Sequence, residues 1–418
     1  LDADKGLLGT SNYRIGLEAV PLPNEQSFLH LTFSYSMGLM ARVAIKTYLA
    51  TIGRGKVGFT AVGERVDGHD YVDQAVSGGA SALLTSKQVL GSQVVVPASP
   101  DALDPVIHAI AKISSHVRSL MRGVEVIGIT GSSGKTSTKD MIGQVLSHAA
   151  TTHAPSGSQN NELGLPLTLL SAPRDVKYIV AEMGMRGLGH ITHLCELAQP
   201  TIGVITNVGR AHIGEVGSIE GIAKAKSELV KAIQPSGVVV LNADDERVIA
   251  MRDLTKATVF TYGFSGTADV RAENLQLTAY GSYTFDLVYR GERIPASIPM
   301  LGEHNVLNAL AAAAVGIAVG MEVTDIARAL TTLKLMSKWR MEVHQIPGNL
   351  TVINDAYNAN PESMTAALET LAAIPAPGKK FAILGKMHEL GDDSDAIHAQ
   401  IAKLAIDIGI TNVVAVGE

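Results

Sequence analysis

The stretch Val124-Glu125-Val126-Ile127-Gly128-Ile129-Thr130 runs straight into Gly131-Ser132-Ser133-Gly134-Lys135-Thr136-Ser137, and a helix-compatible segment from Thr138 to Ala149 follows. No other part of the chain limits its fold as tightly. A β-branched run of this kind predicts a strand buried on both faces, as in a parallel sheet. A glycine-bearing turn between such a strand and a helix is the arrangement that binds phosphate. Two glycines let backbone N–H groups turn toward one anion, Lys135 adds a point charge, and Thr136 offers a hydroxyl to Mg2+. The spacing departs from the usual Gly-x-x-x-x-Gly-Lys-Thr, because position 129 is Ile and the first glycine of the loop is Gly131. The competing reading is a plain Gly/Ser turn.

Around this element short apolar runs alternate with helical stretches, which predicts an α/β protein with a central parallel sheet. Strands are predicted at Phe59 to Val62, Ser81 to Leu84, Tyr178 to Ala181, Thr201 to Ile205, Val238 to Leu241 and Ala257 to Thr261, and helices at Tyr71 to Gly79 and Pro105 to Met121. Leu31 to Ala50, interrupted by Arg42 and Lys46, lacks the pattern of a secretory signal and reads as a soluble helix. Alternating runs from Ala268 to Tyr289 predict a small antiparallel insertion, and the alanine-rich helix Asn305 to Val319 closes the central domain. Met336 to Arg340 reads as a linker, with Leu350 to Ile353, Lys380 to Leu384 and Asn412 to Val416 as strands of a third unit. The predicted domains are therefore 1–120, 121–335 and 336–418, and a chain of 418 residues, 46% apolar, is long enough to build them.

Charge excludes one class of partner. A net charge of -6, with 34 Lys+Arg against 40 Asp+Glu, provides no basic field for nucleic acid. Cys195 is the only cysteine, which rules out an internal disulfide and fits a reducing compartment. The reading is a cytoplasmic monomer without stable membrane insertion. Leu1 in place of an initiator methionine, and an end at Glu418 just after a strand, read as a processed or partial chain.

Further residues carry candidate chemistry. Glu182 ends the run Tyr178 to Ala181, at the edge where open α/β sheets place their ligands. From the residues alone it reads as a support for Mg2+ or as a solvated strand end. His212, after the next strand, reads as a metal or phosphate contact or as a surface loop residue. Lys226 is ambiguous, with an exposed helix lysine as the plain alternative, and Asn160 and Asn161 form a substrate loop or merely a turn.

These residues, with Gly63 to His69, Glu182-Met183-Gly184, Gly302-Glu303-His304-Asn305, Asn354 to Met364 and Leu384 to Gly391, give the chain its likeness. It resembles the Mur ligases, the ATP-dependent amide-forming enzymes of peptidoglycan assembly, from about residue 55 to the end. The resemblance implies three domains: a small N-terminal α/β domain that binds the UDP-linked substrate, a central P-loop domain, and a Rossmann-like C-terminal domain. It implies ATP and Mg2+ as cofactors, with Gly131, Ser132, Ser133, Gly134, Lys135, Thr136 and Ser137 around the phosphates and Asn305, Arg340 and Asp355 on the nucleotide. Thr136, Glu182, His212 and a carbamate carried on Lys226 would hold metal, and Asn160, Asn161, Tyr357, Asn358 and Asn360 would face substrate. Lys135, Glu182, His212 and Lys226 are thereby the catalytic candidates. The segment Asp355 to Met364 points to the branch that takes UDP-N-acetylmuramoyl-tripeptide and D-Ala-D-Ala. The alternatives are another muramyl or folate-glutamate amide ligase, or a nucleotide-binding protein without ligase activity. Lys386 and His388 stand where the family usually has Asp and an apolar residue, and no Asp-Ser-Arg precedes Gly63 to His69.

Overall fold

Residues 10–21, 27–37, 68–77, 79–80, 82–97, 104–210, 213–346, 350–376, 378–388, 390–410 and 412–416 are described by the computed structural model. The predicted strand Phe59 to Val62 lies outside them. The chain divides into two compact units, Leu1–Val117 and Arg118–Glu418.

In the first unit, β1 (Thr10–Pro21) pairs antiparallel with β2 (Ser27–Met37). The helix expected over Leu31 to Ala50 is therefore corrected, since residues 31–37 are strand and 38–50 lie outside the described residues. Leu29, Leu31, Phe33 and Tyr35 alternate with His30, Thr32, Ser34 and Ser36, and that period of two outweighs the overall apolarity on which the helix reading rested. β3 (Leu83–Thr85) and β4 (Gln93–Val95) pair in parallel, with the helix Val72–Ser77 before them. The helix Pro105–Leu120 crosses the boundary between the units.

The second unit is built on β5 (Glu125–Thr130), β6 (Thr152–His153), β7 (Tyr178–Glu182), β8 (Ile202–Ile205), β9 (Val238–Asn242) and β10 (Thr258–Gly263). It continues with β11 (Val270–Leu277), β12 (Tyr283–Tyr289) and β13 (Glu292–Ile298). Among the described residues these form one sheet in the order β13-β12-β11-β10-β9-β8-β5-β7-β6. β6 through β10 are parallel, and β11 joins β10 in parallel before β11, β12 and β13 turn antiparallel. The predicted antiparallel insertion is thus an extension of the main sheet. Residues such as Ile127, Ile129, Val180, Val204 and Val240 are fully buried, because helices cover both faces and the strands need no polar side. The helix Glu303–Ala318 packs on the helix Lys135–Ser147, and its small residues Ala311 to Ala314, all buried, permit a close approach.

The sheet order puts the site at a switch point. From β5 the chain leaves toward β7 and β6 on one side and β8 and β9 on the other, so a crevice opens at the C-terminal end of β5. The register pairs Ile129 with Glu182 and Thr130 with Ile205, which brings the ends of β7 and β8 to the loop that follows β5.

Beyond residue 335, β14 (Glu342–Ile346) and β15 (Leu350–Asn354) form an antiparallel pair, and β16 (Phe381–Leu384) and β17 (Asn412–Ala415) a parallel one. The helices Pro361–Ala373 and Ser394–Asp407 share a small core with β16 through Leu368, Ala382, Ile397, Ile401 and Ala405.

Candidate active site

The helix Lys135–Ser147 begins inside the loop, three residues before the predicted start, so Lys135 is its first residue. Its N-cap is Gly134 at φ 77, and no side chain caps it. The first N–H groups of that helix are consequently left for an anion, at the positive end of the helix dipole. Both glycines are required by space: a Cβ on Gly131 would lie 1.7 Å from Thr206 Oγ1, and one on Gly134 would lie 2.7 Å from Asn308 Oδ1. The rest of the loop is pinned from β8. Ser132 and Ser133 N–H donate to Asn207 Oδ1 at 3.1 and 2.9 Å, and Thr206 Oγ1 donates to the Ser133 carbonyl at 2.7 Å. Thr206 and Asn207 received no role from the sequence, although their place directly after a buried strand was a signal for one.

Glu182 is 1% exposed, which rules out the solvated strand end. Its Oε2 accepts from Thr136 Oγ1 at 2.8 Å, and its Oε1 accepts from Ser158 Oγ and Asn160 Nδ2, both at 2.8 Å. A buried carboxylate needs such donors to stay charged. Asn160 thus belongs to the Glu182 cluster. Asn161 instead accepts N–H bonds from Leu163 and Gly164, which fixes the turn that leads into the helix Gly164–Leu170.

Two lysines near Glu182 and Glu362 interact electrostatically with each other. Lys135 Nζ donates to the carbonyls of Gly131 and Ser132 at 2.7 and 3.3 Å. Burial lowers its pKa below the usual lysine value, with Glu182 acting to raise it and Arg340 to lower it further. Lys226, on the helix Ile219–Ala232, is 1% exposed, so the exposed-helix alternative falls. Burial first, then repulsion from Lys135, pushes its pKa well below the lysine range, against the attraction of Glu362. Ala211 and His212 lie outside the described residues.

The segment after residue 335 completes the crevice. Arg340 Nη2 donates to Thr136 Oγ1 at 3.0 Å, and its guanidinium lies 4.1 Å from the centre of the Tyr357 ring. Asp355 accepts from Met341 N–H at 3.0 Å, and burial raises its pKa to about 6 against that bond and Arg340. A cleft is lined by Ser133, Ser137, Asn305, Lys334, Arg340 and Asp355. Asn305 is held by its Nδ2 bond to the Leu301 carbonyl at 2.7 Å. Asn358 is exposed, whereas Asn360 is buried as the N-cap of Pro361–Ala373, in a capping box with Ser363. Glu362, singled out by no sequence argument, accepts from Arg210 N–H at 2.6 Å. Its Oε2 and Arg340 Nε are buried without a hydrogen-bond partner.

The arrangement suits a charged phosphate chain. Thr136 and Glu182 are hard oxygen donors of the kind that take Mg2+, an ion usually held by one or two carboxylates together with phosphate. Among the described residues no group of three His, Cys, Asp or Glu comes together as a self-sufficient metal cage, so phosphate oxygens would complete the shell. Two cations, a helix N-terminus and a buried carboxylate then converge on one short stretch of crevice.

Comparisons with known proteins agree with this geometry. The model of the Mur ligase middle domain matches residues 129–316, and that of the Mur ligase, glutamate ligase domain matches residues 339–418. The UDP-N-acetylmuramoyl-tripeptide–D-alanyl-D-alanine ligase of Mycobacterium tuberculosis is 42% identical over 386 residues, covering 88% of this chain and 76% of that protein. Among solved structures, a MurF of Acinetobacter baumannii superposes with a TM-score of 0.76 at 33% identity, covering 85% of this chain and 76% of the other. The MurF ligase of Thermotoga maritima in complex with ADP gives a TM-score of 0.70 at 26% identity, over 85% of this chain and 83% of that one. With these matches running through its P-loop sheet and the segment that closes over it, the chain belongs to the Mur ligase family.

Proposed function

We propose that this chain is an ATP-dependent ligase that joins D-alanyl-D-alanine to UDP-N-acetylmuramoyl-tripeptide, releasing ADP and phosphate. The observation that carries the reading is the meeting of Thr136 with Glu182 and Arg340 at the mouth of the loop. The relatives named for this reaction, and the ADP in the Thermotoga maritima structure, support the substrates and the nucleotide. Domain limits near 121 and 336 belong to the same proposal and accord with the two family matches. A cytoplasmic location is also proposed.

The chemistry follows from charge. The free N–H groups at the start of Lys135–Ser147 and the Lys135 ammonium bind the ATP phosphates, and Arg340 adds charge as the terminal phosphoryl group leaves. The tripeptide carboxylate attacks that phosphorus, forming an acyl phosphate and ADP. The D-alanyl-D-alanine amine then attacks the acyl carbon, phosphate departs, and the amine proton is lost. Mg2+, held by Thr136 and Glu182, would neutralise phosphate charge. Asn305 and Asp355 bind the nucleoside side, Asn160 and Asn161 face the tripeptide, and Tyr357 and Asn358 lie beside the second substrate. Asn360 shapes that edge by capping its helix. His212 is proposed to hold a second metal ion together with Lys226.

Lys226 supports a chemical step of its own. A buried lysine whose pKa is pushed well down gives up its proton more readily than an exposed one, and the freed nitrogen can add to CO2 with loss of one proton. The product is a carbamate anion beside the ammonium of Lys135.

The test is phosphate release from ATP with Mg2+, omitting each substrate in turn, with mass spectrometry of the product. Release that needs both substrates and yields the pentapeptide carries the reading. Nucleotide binding without an amide product would leave a binding protein, and glutamate in place of the dipeptide would indicate a different ligase.

A further inference from the structure

Lys139 and Asp140 are consecutive on the helix that Lys135 begins, and Asp140 lines the cleft together with Ser133 and Ser137. Lys139 is 0% exposed. Its ammonium pairs with Asp140 Oδ1 at 2.9 Å and donates to the Gly157 carbonyl at 2.8 Å and to the Pro155 carbonyl. A fully buried ammonium tolerates little movement of these partners, because losing one leaves charge uncompensated. The gripped backbone leads directly to Ser158 and Asn160, the two donors that hold Glu182 Oε1.

Asp140 works in another direction. Its Oδ2 accepts from Ser337 Oγ at 2.6 Å, a buried bond to the segment expected to be a mere linker. One turn along the helix, Gln144 exchanges two hydrogen bonds with the Lys334 backbone, at 2.8 and 3.0 Å. Three residues past Ser337, Arg340 sits between Trp339 at φ 60 and Met341 at φ 54, both in the left-handed region that bulky residues avoid. Such a conformation persists only where the surroundings fix it. Here the anchors are Asp140 and Gln144 on one side, and on the other the bond from Tyr357 N–H to the Trp339 carbonyl at 3.1 Å and that from Met341 N–H to Asp355.

We propose that the Lys139–Asp140 pair is a positioning device that aligns the site from two sides at once. Lys139 fixes the 155–160 loop and through it Glu182; Asp140 fixes Ser337 and through it Arg340. Both then meet at the Thr136 hydroxyl. This rests on the reading of the crevice as the ATP phosphate site.

The experiment uses the full chain with Ser337→Ala, Asp140→Ala, the double variant and Lys139→Met. Trp339 is the sole tryptophan and is 49% exposed, so its emission reports the linker directly. Ser337→Ala removes one hydroxyl and should lower kcat about ten-fold by loosening Arg340. It should shift Trp339 emission and leave the KM for D-alanyl-D-alanine unchanged. The double variant should be no slower than Asp140→Ala alone, since Asp140→Ala already deletes the bond that Ser337→Ala removes. Lys139→Met should raise the Mg2+ needed for half-maximal rate while leaving Trp339 emission as it was. Unchanged kcat and emission in Ser337→Ala, or independent effects that multiply in the double variant, overturn the proposal. If the unaltered chain shows no ligase turnover, the functional reading falls, and a Trp339 shift with weakened Mg-ADP binding in calorimetry still upholds the positioning device.

Discussion

Replacing Glu182 with Gln separates charge from shape at the centre of the site. Glutamine fills the same volume, and its carbonyl oxygen can take the Oε1 place to accept from Ser158 and Asn160. Its amide then faces Thr136, whose hydroxyl can turn and accept. The volume and the bonds from Ser158 and Asn160 therefore have a substitute, and the fold should survive. What is lost is the negative charge. A hydrogen bond to a charged group contributes roughly 1 kcal/mol more than a neutral one, so three bonds amount to about 3 kcal/mol of alignment and charge stabilisation. That corresponds to a fall in kcat on the order of 100-fold, the range seen when one preorganised electrostatic group is removed. A second effect has a definite sign. Glu182 holds the Lys135 pKa up against burial and Arg340, so its neutralisation lets that pKa fall further. The alkaline limb of the pH–rate profile must then move to lower pH. The assay is phosphate release with both substrates across pH, paired with thermal melting. A rate near that of the unaltered chain, or an alkaline limb that stays in place, would refute the reasoning.

Asp355 gives a pH test of stability. Its carboxyl titrates at about 6 in the folded chain, above the usual Asp value, so the folded form holds this proton more tightly than the unfolded one. Through this group stability declines as pH rises toward about 6 and is level above it; Asp355→Asn should raise the melting temperature at neutral pH, by roughly 1–3 kcal/mol of stability, with the gain vanishing in acid. The same variant should weaken ATP binding, measured by calorimetry. Lys226→Ala should lose turnover and regain part of it with added short-chain carboxylates, and 13C-labelled bicarbonate should give a carbamate NMR signal that this variant lacks. Gly134→Ala places a side chain at φ 77 and against Asn308, so it should abolish nucleotide binding in calorimetry and lower the melting temperature.

The strand, loop and helix from Val124 to Ala149 were legible because a β-branched run, two spatially required glycines and a helix follow one another without interruption. Glu182 was legible as a position but not as a buried hub, since its donors Ser158 and Asn160 arrive from a loop more than twenty positions away. For the same reason Lys226 looked like any helix lysine: its environment is supplied by Lys135 and Glu362, which only tertiary structure brings near. Met336 to Arg340 offered no periodic pattern, and the bond from Ser337 to Asp140 has no local sequence signature. Leu31 to Met37 misled because apolar content was weighed above alternation. Asn360 was read as a substrate contact, and the Pro361 that follows it, marking a helix start, made its capping role legible as well.

The nine-stranded sheet also bears on how the protein behaves in a crowded solution. An open sheet can recruit foreign strands only along its margins, and here both margins are poor templates. At one end β6 is 2 residues long, too short to hold an added strand in register. At the other, β13 carries Pro295, which has no N–H to offer, and the helix Val323–Thr331 lies along it. The nine-stranded sheet is thereby poorly suited to strand addition at either end, and the crevice above β5 can stay open to solutes without relying on those margins.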